Sequence, residues 1–174
     1  MGGITTGDYY IECLVQAQHG GEPNICAGKF TNSATSHYIL SWDIGAAPQR
    51  LFYVHRSGTQ INVFGTIVTA DEEWVWLSLF GDRDENHSVN GFRMYLNNAI
   101  DKTANISTAQ GSLNTTSAPW TFGGPGDDTY VSQQFAREIA YFQVWERADW
   151  FAGGAQNVTD FDAAAAERFA IAQP

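Results

Sequence analysis

Basic residues are scarce in this sequence: nine Lys and Arg stand against nineteen Asp and Glu, for a formal net charge of −10. A surface of that sign repels phosphate backbones, which argues against a nucleic-acid-binding role. Long apolar runs are missing too. The longest, such as Trp74–Phe80, is far shorter than the about 20 residues a membrane-crossing helix needs. The first eight residues, Met1 to Asp8, show neither the basic start nor the apolar stretch of a secretory signal, so the sequence reads as that of a cytoplasmically made product. Cysteine is limited to Cys13 and Cys26. With no second Cys pair or His cluster nearby, a zinc site is not supported. Both fall in segments that read as strands. They form either one disulfide, if the strands are neighbours and the surroundings oxidising, or two small buried thiols, which the usual burial of free Cys favours.

What is abundant is core material. The chain of 174 residues is 44% hydrophobic, with six Trp, seven Tyr and eleven Phe, side chains that favour strands and fill cores. Short β-branched and aromatic segments alternate with Gly, Asn, Asp and Ser, the spacing of an all-β sandwich. About a dozen strands are expected. They include 8–16, 25–30, 38–43, 50–56, 60–68, 73–81, 91–97, a short one at 105–108 within an irregular stretch 101–119, 120–123 and 135–146. In the first, Tyr9, Ile11, Cys13 and Val15 alternate with Tyr10, Glu12, Leu14 and Gln16, and only the second face carries an acid. Near the end the period changes. Thr159-x-x-Asp162 has the form of a capping box, and Phe161, Ala165 and Phe169 recur at four-residue spacing, which predicts a short helix over 163–171. No linker divides the chain. Residues 1–149 read as the sandwich, and 150–174 as an extension of the same domain.

Trp74-Val75-Trp76-Leu77-Ser78-Leu79-Phe80-Gly81-Asp82, followed by Phe92-Arg93-Met94-Tyr95-Leu96-Asn97-Asn98, resembles the central hairpin of the laminin G-like jelly rolls in the concanavalin A-like lectin and glucanase superfamily. Phe122-Gly123-Gly124 resembles that family's Ile-Gly-Gly. The run Phe135 to Ala148 resembles its closing strand, and Tyr10-Ile11-Glu12-Cys13-Leu14-Val15 its early Phe-Thr-Ile-Glu-Ala-Trp-Val strand. Asn98 stands where the family has a turn glycine, and Asn tolerates that left-handed conformation. The resemblance implies a two-sheet antiparallel jelly roll and leaves the ligand open.

The glucanases of that superfamily carry a Glu-x-Asp-x-x-Glu ladder on one strand face, and this sequence has none. Asp71-Glu72-Glu73 is contiguous, so its members cannot all face one substrate, and hydrolase and nucleotide-binding motifs are absent. A non-enzymatic protein is therefore expected. Calcium needs hard oxygen donors, which Asp82, Asp84 and Glu85 offer in one loop and Asp127 and Asp128 in another. Sugars need aromatic faces beside polar acceptors, which nominates Trp42, Trp120, Tyr130 and Trp150. Phe151, Phe161 and Phe169 are candidates for docking, onto the sandwich or onto a neighbouring chain. The leading functional expectation is a bacteriophage virion accessory protein, a capsid decoration or fibre component assembled in the host cytoplasm, with capsid proteins or further copies of itself as partners. The alternative is a carbohydrate- or protein-binding lectin-like module located outside the cell or on its surface.

Overall fold

The computed structural model describes residues 8–17, 24–29, 38–43, 50–57, 59–81, 91–106, 120–123 and 135–147, together with Glu167 and Ala170. Among these residues lie ten strands: β1 (Asp8–Gln16), β2 (Asn24–Lys29), β3 (Tyr38–Asp43), β4 (Arg50–Ser57), β5 (Thr59–Val68), β6 (Trp74–Gly81), β7 (Phe92–Leu96), β8 (Ala99–Ala104), β9 (Trp120–Phe122) and β10 (Ile139–Arg147). They form two five-stranded antiparallel sheets. One has the order β10-β1-β6-β7-β8 and is called the β1 sheet below; the other, β5-β4-β3-β2-β9, is the β4 sheet. This is the two-sheet antiparallel sandwich that the alternation predicts.

The inward set of β1, Tyr9, Ile11, Cys13 and Val15, packs with Val75, Leu77, Leu79, Met94 and Leu96 against Cys26, Ala27 and Val63 of the other sheet. Each such side chain contributes about 1.5–3 kcal/mol on burial. The Tyr9 ring lies so close over Gly81 that a Cβ there would come within 2.2 Å of it, so that strand position admits only glycine.

Both long edges of the sandwich are closed by contacts between the sheets. At one, the Phe122 ring of β9 meets Phe142 of β10 edge-on, with centroids 4.9 Å apart. At the other, Asp101 of β8 binds β5: its Oδ1 accepts from the backbone N–H of Thr66 at 2.5 Å and of Ile67 at 2.6 Å, and its carbonyl accepts from Thr66 Oγ1 at 2.7 Å. The carboxyl fits because residue 65 is glycine; a Cβ there would lie 2.2 Å from Asp101 Oδ2. With β9 beside β10 and β5 beside β8, the sheets stack in the same order and β1 lies over β2. Cys13 and Cys26 are therefore on opposed strands of different sheets, both fully buried and both free thiols.

The turn from β7 to β8 uses residues suited to left-handed backbone. Asn97 and Asn98 join β7 to β8 with φ of 47° and 66°, as expected for Asn98. Asn97 also splices into β6: its N–H donates to Trp76 O and its Oδ1 accepts from Trp76 N, each at 2.8 Å. The crossing from β5 to β6, residues 69–73, is held by Glu72 N–H donating to Ala17 O at 2.9 Å and Ala17 N–H donating to Glu73 O at 2.8 Å.

Two sequence-based expectations need correction. The strand after β7 is β8 at Ala99–Ala104, not a short strand beginning at Asn105, which with Ile106 lies outside any strand. β8 escapes pattern reading because Asp101 occupies an inward position where a hydrophobe is expected. The closing strand begins at Ile139, since Phe135 to Glu138 are not in strand conformation. Of the predicted helix, Glu167 and Ala170 are helical and exposed; the rest lies outside the described residues.

Candidate functional site on an open sheet face

The two outer faces of the sandwich differ sharply. On the β1 sheet the register aligns Trp145, Tyr10, Phe80 and Arg93 in one cross-strand row and Gln143, Glu12, Ser78 and Tyr95 in the next. Tyr10 stacks on Phe80 at 4.4 Å and on Trp145 at 5.1 Å, and Phe80 meets Tyr95 edge-on at 5.8 Å. Glu12 sits among them with no exposed surface. Its Oε1 accepts from Tyr141 Oη–H at 2.7 Å and its Oε2 from Tyr10 Oη–H, while Ser78 Oγ is 3.4 Å from the Tyr10 oxygen. An acid buried without partners would cost several kcal/mol, and two phenols offset that cost. The arrangement is a satisfied, closed cluster. It has the groups a sugar site uses, but Tyr10, Glu12, Ser78, Phe80, Arg93 and Tyr95 are buried and only the β10 side chains Tyr141, Gln143 and Trp145 keep some exposed surface.

The acids weighed for catalysis are also engaged. Arg137 Nη2 lies 3.1 Å from Asp71 Oδ2 and 3.4 Å from Glu72 Oε1. Glu73 Oε2 accepts from Ala70 N–H at 2.8 Å. These carboxylates brace the crossing between the sheets and present no opposed pair across a cleft.

The β4 sheet is open along β5. Its odd-numbered residues face inward: Val63 is in the core and Ile61 and Ile67 pack against it. Gln60, Asn62, Phe64, Thr66 and Val68 therefore face out, and all are exposed. Phe64 leaves 44% of its surface in water, midway along the strand, with Asn62 two residues before it. Gln60 Nε2 donates to Asn62 Oδ1 at 2.6 Å, which orients the two amides side by side. Alternate residues on a strand are about 6.6 Å apart, so an aromatic face and an amide pair sit within reach of one ligand ring. Apolar CH groups of a pyranose stack on such a ring while its hydroxyls bond the amides. The sequence carries this signal in the alternation Gln60-x-Asn62-x-Phe64-x-Thr66, but a Phe within a strand has no local mark that separates it from the core-facing aromatics.

Of the residues nominated from sequence, Trp42 and Trp120 are strand positions at opposite ends of β2. Trp42 pairs with Asn24 and Trp120 with Lys29, roughly 16 Å apart along the strand, so they belong to different rims. The segment containing Asp82, Asp84 and Glu85 starts from Gly81, which pairs with Tyr9 at the Asp8 end of the β1 sheet. That containing Asp127, Asp128 and Tyr130 is bracketed by Gly123 and Phe135, bonded N–H to O at 2.9 Å, close to the start of β10 at the other end. Those six residues, and Trp150, Phe151, Phe161 and Phe169, lie outside the described residues. Among the described residues no group of three His, Cys, Asp or Glu gathers as a metal cluster.

No protein-family model and no curated protein matches the sequence. Solved structures do share the fold. A Bacteroides ovatus protein classed as carbohydrate-binding superposes with a TM-score of 0.63 at 16% identity, over 84% of this chain and 39% of that one. A heptameric SAP-like pentraxin from Limulus polyphemus gives 0.60 at 14% identity, over 85% and 68%. Domain 4 of AbnA, an extracellular arabinanase from Geobacillus stearothermophilus solved with arabinotriose, gives 0.54 at 13% identity, over 83% and 63%. This chain thus spans less than two thirds of the first and third. At these identities the likeness shows the fold alone, a two-sheet antiparallel β-sandwich of jelly-roll type.

Proposed function

We propose that this chain is a non-enzymatic, lectin-like binding domain whose ligand is a glycan, held on the open face of the β4 sheet around Phe64. The observation that carries the reading is the exposed Phe64 beside the oriented amides of Gln60 and Asn62. It gains support from a fold shared with a domain solved in complex with arabinotriose. A location outside the cell or on its surface goes with this reading, since the arabinanase is itself extracellular. The rims form a second candidate location, with Trp42, Trp120, Tyr130 or Trp150 as stacking groups and calcium on Asp82, Asp84 and Glu85 or on Asp127 and Asp128.

A panel of oligosaccharides that includes arabinotriose tests the proposal. Binding that survives chelation of divalent cations and Trp120→Ala but is weakened by Phe64→Ala supports the sheet face. Binding abolished by chelation and by Trp120→Ala moves it to a rim. The virion role gains no support from the structural neighbours; co-sedimentation of the chain with capsids, in the absence of any glycan ligand, would replace the glycan reading with that one. Hydrolysis of a bound glycan would overturn its non-enzymatic part.

A further inference from the structure

The outer face of the β1 sheet is covered, and the described elements do not cover it. Tyr10, Glu12, Ser78, Phe80, Arg93 and Tyr95 are each at most 3% exposed, yet the β4 sheet packs on the opposite side of the β1 sheet, against Tyr9, Ile11 and Leu79. Among the described elements no contact places a second layer over Tyr10 and Phe80. The cover ends within the sheet: at the other end of the same face Trp74 is 41% exposed. The fully covered patch extends from β1 to β7, two interstrand spacings or about 10 Å, and Tyr141, Gln143 and Trp145 of β10 beside it are half-buried.

The C-terminal segment has the length and patterning to lie there. Residues 163–171, as a helix, would be about 14 Å long. Glu167 and Ala170 are helical and exposed, and residues three apart lie on one side of a helix. At 100° per residue, Phe161, Ala165 and Phe169 fall on the opposite, inward side. The segment also starts from the right place, because Arg147, the last residue of β10, pairs with Asp8 at the covered end of the sheet. Residues 107–119 suit the role poorly, with Leu113 their one large apolar side chain against many Ser, Thr and Asn. We propose that the segment 150–174 of the same chain docks on the outer face of the β1 sheet, with Phe161 and Phe169 against the Trp145, Tyr10, Phe80 row. This goes beyond the glycan reading and does not depend on it: one face of the sandwich is sealed by the chain's own terminus, and the other is left for ligand.

A matched pair of substitutions in the full chain tests this. Phe169→Asp should lower the melting temperature by roughly 5 °C or more, and hydroxyl-radical footprinting should show several-fold greater oxidation of Tyr10, Phe80 and Tyr95. Ala170→Asp, one residue away on the exposed side, should leave both as in the wild type. If Phe169→Asp fails to fold, Phe161→Gln should give the same footprint more mildly. A wild-type footprint in the Phe169 and Phe161 variants would overturn the proposal. So would protection of Tyr10 and Phe80 that disappears on dilution together with a dimer, because the cover would then come from a second copy.

Discussion

A thiol attacks and oxidises as the thiolate, and burial holds Cys13 and Cys26 in the neutral form. Burial pushes the Cys13 thiol well up, with smaller contributions from the Cys26 and Glu12 charges, and burial likewise raises Cys26. Above the ordinary thiol value of 9.0 the unfolded chain has lost protons that the folded chain still binds. Stability from this source is therefore complete below that pH and falls above it, by up to about 1.4 kcal/mol per pH unit for each thiol. Denaturation curves between about pH 8 and pH 10 should show this fall in the wild type and not in a Cys13→Ala, Cys26→Ala double variant. An aromatic disulfide reagent should label neither cysteine until the chain unfolds. A mass lower by two hydrogens and no thiol on unfolding would decide for a cross-sheet disulfide instead. For Glu12, the two phenols that donate to it predict that Glu12→Ala, which leaves Tyr10 only the distant Ser78 Oγ and Tyr141 only Gln143 Oε1, costs about 1–3 kcal/mol. Glu12→Gln keeps an acceptor and should cost less, as urea denaturation will show. The alternation in β1 already set Glu12 apart as the one acid on its face. That it would be buried was not visible in the sequence, because nothing local in β1 specifies what lies over that face.

Among the elements, β8 shows how a strand hides from pattern reading. Ala99 to Ala104 has one inward carboxylate and an exposed Ile100, the inverse of hydrophobic alternation, because its inward group bonds backbone N–H of the other sheet rather than filling the core. β1 and β6, buried on both faces along most of their length, were readable from their runs of aromatic and aliphatic residues, and so was the hairpin turn at Asn98. Asp101 and Gly65 make this account quantitative. Asp101→Ala removes the acceptor for two N–H groups and should cost about 2–4 kcal/mol. Gly65→Ala drives a methyl to 2.2 Å from Asp101 Oδ2 and should also destabilise markedly. In the double variant the methyl meets no carboxyl, so the loss should fall short of the sum by at least about 1 kcal/mol. Strict additivity in chemical denaturation would show that the two do not touch.

At the scale of the whole molecule, among the described residues the outer face of the β1 sheet is buried around Tyr10 and Phe80 while that of the β4 sheet is exposed along β5, and the function proposed here lives on β5. The general architecture was readable from composition and spacing. The site was not, because an exposed Phe on an edge strand looks locally like any strand residue, and only pairing shows which way β5 turns its even-numbered side chains. Calorimetric titration of the best-bound oligosaccharide into the wild type and into Phe64→Ala tests the central claim most directly. Loss of the ring should remove about 1–1.5 kcal/mol of stacking, a drop in affinity of roughly tenfold, with the melting temperature unchanged. Equal affinity in the two proteins, or no glycan bound by either, would contradict it.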